Sequence, residues 1–174
     1  TWLNLFSSTP TSTAPTFVAA ATALGNGVTS LGLSVPAGTA ADDLLIAAIT
    51  RDLDGTSTSV TAPGGWTLLD QGNCATAVCH LALFYQVVTT VPSSPQTFTW
   101  TGNQRAAGAM FTFRGVDITT PFDVTLATAT GASTNPVAPS VTTVTPNTLI
   151  LRIFGGGPSV SGAVSPPASH TERW

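Results

Sequence analysis

The chain has 174 residues and a mass of 17.6 kDa, enough for one domain with a two-layer core. Charged residues make up 7%, far below the roughly 25% of ordinary soluble domains, while hydrophobic residues reach 43% and the mean hydropathy is +0.32. Five Arg, no Lys and eight acids give a net charge of −3 and a pI near 4.9. No basic run offers phosphates a face, which argues against nucleic acid, and no apolar stretch approaches the ~20 residues of a membrane-spanning helix.

Thr and Ser fill most polar positions, and Glu172 is the only Glu. Thr is β-branched and fits a pleated strand, so the composition favours sheet over helix. A start at Thr1 rather than Met suggests a processed or trimmed chain from which any signal peptide is already gone.

In chain order, Trp2-Leu3-Asn4-Leu5-Phe6 is an apolar patch and residues 7–16 are a Ser/Thr/Pro run that reads as an extended linker. Residues 1–16 are therefore an N-terminal arm, and residues 17–174 a single domain. Through that domain short β-type runs alternate with turn signals, and no window keeps a helical apolar period. Strands are expected over residues 17–22, 28–35, 44–51, 66–70, 80–89, 96–101, 106–115, 123–129, 138–143 and 148–154. Pro36-Ala37-Gly38, Pro63-Gly64-Gly65 and Gly155-Gly156-Gly157-Pro158 punctuate them.

Side-chain parity assigns the core. Leu81, Leu83, Tyr85 and Val87 share one face of their strand, Phe111 and Phe113 one face of theirs, and Leu149, Leu151 and Ile153 one face of a late strand. Phe98 and Trp100 alternate with Thr97, Thr99 and Thr101, which gives an aromatic face and a hydroxyl face.

Candidate chemistry is sparse. Cys74 and Cys79 flank four residues at the tip of a hairpin with arms 66–70 and 80–89. They read as a disulfide, against two free thiols, and a disulfide implies an oxidising, extracytoplasmic setting. Zinc would need ligands beyond Cys74, Cys79 and His80. Asp52 and Asp54 before Gly55 resemble the start of a calcium loop without its downstream bidentate acid, so a polar turn is the competing reading. Asp42-Asp43 likewise reads as a turn leading into a strand. His80 and His170 are the only imidazoles, no Gly-x-Ser-x-Gly occurs, and no pair among the seven Asp and Glu172 is marked for glycosidase work. No catalytic residue and no cofactor is expected. Four Trp raise sugar stacking, with Trp66 and Trp100 assigned to the core and Trp2 and Trp174 to contacts outside it.

The succession Gly65-Trp66-Thr67-Leu68-Leu69, Leu81-Ala82-Leu83-Phe84-Tyr85-Gln86-Val87, Phe98-Thr99-Trp100, Phe113-Arg114-Gly115-Val116-Asp117 and Pro121-Phe122-Asp123 resembles β-sandwich modules of phage minor tail proteins and of secreted or surface bacterial proteins. The resemblance spans roughly residues 31–174 and implies a sandwich scaffold with no catalytic residues. In such modules further strands follow the segment resembling His170-Thr171-Glu172-Arg173-Trp174. Without them a sandwich exposes an edge and a groove, which the arm is suited to fill in its own domain or in a neighbour.

The sequence therefore predicts an all-β, two-sheet antiparallel sandwich of jelly-roll type acting as a non-enzymatic subunit of an extracellular, cell-surface or virion-surface assembly. Copies of the chain would join by strand addition through Trp2, Leu3, Leu5, Phe6 and Trp174 into a filament, ring or tail component. The alternative is a carbohydrate-binding or adhesion module with glycans as partners.

Overall fold

The computed structural model describes residues 14–53, 59–74, 78–131, 137–156 and 171. Its described residues contain five strands and no helix: β1 (Thr16–Leu33), β2 (Leu44–Asp52), β3 (Thr67–Asn73), β4 (Cys79–Val87) and β5 (Gln96–Arg114). They form one antiparallel sheet in the order β1-β5-β2-β4-β3.

Two pairs of expected strands are each one continuous strand. Residues 17–22 and 28–35 largely merge into β1, and residues 96–101 and 106–115 into β5. Glycines at the two junctions allow a bend. The β1–β5 register runs from Gly25↔Ala106 to Val28↔Gln104 and then to Ser30↔Thr99, so β5 carries extra residues at this point. Gly27 and Gly102 sit there with φ of 65° and 89°, a region that costs glycine little and other residues much.

Beyond the bend the ends of β1 and β5 fold over one face of the sheet. Leu31, Leu33, Phe98 and Trp100 pack there with Leu45, Ala47 and Ile49 of β2, Ala82 and Phe84 of β4, and Met110 of β5. Gly108 permits the close approach: a Cβ at that position would lie 2.8 Å from Leu31 Cδ2 and 3.1 Å from Leu33 Cδ2. Val60, Ala62 and Trp66 complete this layer, and Thr61 bridges to Thr99.

The other face carries Leu44, Ile46, Ala48, Leu81, Leu83, Phe111 and Phe113. Each side chain that parity assigned to the core, from Leu81 to Ile153, lies in this cluster or against it. Its cover is the chain after β5, through Val116, Phe122, Leu126, Leu149, Leu151 and Ile153. That cover is a correction to the expected late strands. Residues 123–129 and the described residues 138–143 form no strand, and residues 148–154 contribute a single bridge position at Leu149. The chain lies across a sheet face rather than beside an edge, and Pro121, Pro139 and Pro146 remove backbone donors along it. Alternating apolar side chains can still bury themselves without a ladder.

Turn chemistry fixes the way into β2. Asp42 adopts φ of 65°, Ala40 N–H donates to Asp43 Oδ2 at 2.8 Å, and the Asp43 carboxylate receives Arg114 Nε and Nη2, both at 2.8 Å. After β5, Asp117 caps its own turn: Oδ1 accepts from Thr119 N–H at 2.9 Å and Thr119 Oγ1 at 2.7 Å, and Oδ2 from Thr120 Oγ1 at 3.0 Å.

Candidate functional site

Two features stand out from the scaffold: the outer edge of β1, and a polar cluster where β2 meets the β3–β4 hairpin. The edge follows from sheet order. β1 is terminal in the sheet, and among the described residues no strand pairs with its other side. Its 18 residues contain no Asp, Glu, Lys, Arg or Pro, the residues with which sheets ordinarily protect such edges. Leu24, near its middle, is 85% exposed. The opposite edge, β3, is only 7 residues long and is interrupted by a register shift between Leu68 and Asp70.

Beside Leu24 an open groove of ≈ 370 Å³ crosses β1, β5 and β2, lined by Leu24, Gly25, Thr50, Asp52, Arg105 and Ala107 among others. Leu24, Ala107 and Thr50 are register partners across the three strands, so they share a face. Thr50 Oγ1 donates to Gly156 O at 3.3 Å, which places the chain after β5 at the groove's rim.

The polar cluster starts from Arg51, which is 2% exposed and whose Nη1 donates to Asp52 O at 3.3 Å. Asp52 Oδ2 accepts from Arg105 Nε at 3.1 Å. One half of the candidate calcium pair is therefore an ion-pair partner, and the other, Asp54, lies outside the described residues. His80 is buried, with Nε2 3.2 Å from Gln71 Oε1 and Nδ1 2.9 Å from Asn73 Oδ1. Gln71 Oε1 also accepts Val60 N–H at 2.9 Å. That donor requires an oxygen there, so Nε2–H donates to it, and a neutral ring accepts at Nδ1 only with the Asn73 amide turned to present its nitrogen. Burial holds the His80 pKa below its ordinary value, the nearby Arg51 charge lowers it further, and Asp70 partly opposes both.

Cys74 and Cys79 form the expected disulfide, with Cα atoms 5.3 Å apart, and Cys74 N–H donates to Cys79 O at 2.8 Å across the hairpin tip. Trp66 and Trp100 are placed in or against the core as expected. Trp66 Nε1 donates to Gln96 Oε1 at 3.0 Å with its ring edge-on to Phe98, and Trp100 Nε1 donates to Val28 O at 3.1 Å. The assembly candidates Trp2, Leu3, Leu5, Phe6 and Trp174, and the second imidazole His170, lie outside the described residues.

Sequence reasoning missed the β1 edge because it expected two separate strands over residues 17–22 and 28–35. The absence of charge over residues 16–33 was the available signal. Among the described residues no group of three or more His, Cys, Asp or Glu comes together to hold a metal, and no helix is long and apolar enough to cross a membrane, which leaves β-barrels aside. No protein-family model, no curated protein and no solved structure matches the chain.

Proposed function

We propose that this protein is a non-enzymatic structural subunit of an extracellular or virion-surface assembly whose copies join by strand addition. In this reading the five-stranded sheet is the larger layer of a jelly-roll-type sandwich. The observation that carries it is the uncharged, 18-residue outer edge of β1. Where its ladder with β5 is regular, chiefly over residues 19–25, the outer edge offers backbone donors and acceptors to another strand, and a subunit that covers it in an assembly needs no charge there. The low overall charge has the same explanation, and the disulfide suits an oxidising setting outside the cytoplasm.

Trp2, Leu3, Leu5, Phe6 and Trp174 supply further contacts between copies. A single edge contact that closes on itself gives a dimer, whereas growth needs a second, heterologous one. Sugar binding draws less support, because the indoles of Trp66 and Trp100 are engaged within the fold.

Light scattering and electron microscopy of the full chain across a concentration series test the proposal. Ordered oligomers or filaments that grow with concentration, and that stop growing when residues 1–13 are removed, are expected. A monomer at every concentration sinks it.

A further inference from the structure

We infer that the outer edge of β1 is occupied by the same edge of a second copy, running antiparallel about a two-fold axis at Thr22, so that two five-stranded sheets become one. The inference rests on the assembly reading and names its partner.

Register limits where an added strand fits. Between the shifts at Phe17/Ala19 and Gly25/Val28, β1 keeps an unbroken ladder with β5, from Ala19↔Thr112 to Gly25↔Ala106. Residues 19–25 are therefore the longest regular stretch of the edge, the ladder being regular again only over the four residues 30–33 beyond the bend, and they are where a new strand can continue the sheet furthest. A second copy presents the same stretch by symmetry, and a two-fold contact requires a surface complementary to itself.

Residues 19–25, Ala-Ala-Ala-Thr-Ala-Leu-Gly, meet that requirement. With the axis at Thr22, Ala19 faces the second copy's Gly25, Ala20 faces Leu24, Ala21 faces Ala23, and Thr22 faces its own counterpart. The one large side chain, Leu24, meets a methyl group on both sides of the axis. Thr opposite Thr is a favourable cross-strand pair. No like charges meet, because the stretch carries none. Thr22 and Leu24 are both exposed in the single chain, and pairing would cover them on the same face.

The axis places residue 22 against itself, which makes the test specific. Thr22→Cys in the full chain, oxidised in air, is expected to give a dimer whose two introduced thiols are joined to each other, as read by peptide mapping. Thr67→Cys on the opposite edge is expected to give none. Thr22→Lys puts like charges directly opposite and should raise the dimer dissociation constant roughly two- to fivefold, while Thr22→Val keeps the dimer. If copies associate but the Thr22→Cys chains stay unlinked and Thr22→Lys associates as before, the edge pairing is wrong and the assembly reading stands. If the Thr22→Cys chains link and Thr22→Lys weakens the pair, with or without residues 1–13, the edge pairing holds. A monomer throughout overturns both.

Discussion

Arg114 grips Asp43 with two parallel hydrogen bonds, Nε to Oδ1 and Nη2 to Oδ2, and its Nη2 also reaches Gly38 O at 2.8 Å. The pair joins the last residue of β5 to the turn that starts β2, and the carboxylate is 1% exposed. A buried carboxylate with three donors is stable only while they remain. Asp43→Ala should therefore cost about 2–4 kcal/mol, read as a fall in the urea midpoint at unchanged slope. Asp43→Asn, which keeps part of the network, should cost less. Equal losses would show that the charge, which both variants lack, holds the turn, and that the shape Asn retains adds nothing.

Gly108 is the counterpart of that tie on the folded-over face. Its missing Cβ makes room for Leu31 and Leu33, with Ala48 O only 3.3 Å from the same point. The leucines can shift a little, but the carbonyl belongs to the neighbouring strand and cannot. Gly108→Ala is expected to destabilise by about 1–3 kcal/mol, measured by thermal or urea unfolding. A neutral result would mean that the ends of β1 and β5 are not pressed against the sheet.

Much of the sheet was legible in the sequence, and for a physical reason. Strands β4 and β5 alternate side chains between faces, so parity put Leu81 and Leu83 on one face of their strand and Phe111 and Phe113 on one face of theirs, and the fold brings the two sets together. In β2, by contrast, Leu44-Leu45-Ile46-Ala47-Ala48-Ile49 is buried throughout, and an unbroken apolar run carries no parity. It reports burial on both faces, and hence cover on each side of the sheet. Neither the bend that supplies one cover nor the irregular chain that supplies the other leaves a local period. Leu149, Leu151 and Ile153 have the spacing of a strand and the burial of one, yet only Leu149 holds a bridge. Alternation records which side chains are buried, and pairing depends on whether an edge is within reach. The Cys pair was legible because its spacing fits a hairpin tip, whereas the His80 cluster depends on Gln71 and Val60, which only the fold brings together.

Among the described residues, His80 and Asp117 contribute to the pH dependence. The pKa of His80 is lowered in the folded chain, so the fold prefers the neutral ring. Its contribution is complete above the unfolded value of about 6.5 and is lost as pH falls through the folded value. Asp117 is held down to about 2 chiefly by Thr119 Oγ1–H, then by Thr119 N–H and Thr120 Oγ1–H. Its contribution is complete above the unfolded value of about 3.9 and disappears as pH falls toward about 2. Urea midpoints should decline in two ranges, with His80→Gln flattening the upper one and Asp117→Asn the lower. A single decline unaffected by either substitution would refute the assignment.

The Cys74–Cys79 bridge closes a short loop, so its effect on the unfolded chain is modest. Loop-closure entropy gives about 2 kcal/mol, a fraction of the stability of a domain this size. The double variant Cys74→Ser/Cys79→Ser should therefore still fold, with its unfolding free energy, read from urea titrations, lowered by about that amount. The loss belongs mainly to the hairpin tip, where Leu53 N–H donates to Val78 O at 3.2 Å, and hydrogen exchange should rise there first. Complete unfolding of the variant would mean that the bridge supports more than the hairpin.

Leu24 separates stability from association. At 85% exposure it gives the isolated fold little burial to lose, so Leu24→Thr should change the unfolding free energy of dilute samples by no more than about 0.5 kcal/mol. The same substitution removes the one large side chain from the regular stretch of β1 and should weaken self-association in concentrated samples, followed by light scattering. Gly25 beside it would bring a Cβ to 2.6 Å from Val28 Cγ2, so Gly25→Ala is expected to disturb the bend itself and lower both readings. A Leu24→Thr variant that loses stability when dilute would show that Leu24 is covered within its own chain, and the β1 edge would then no longer be the surface that copies share.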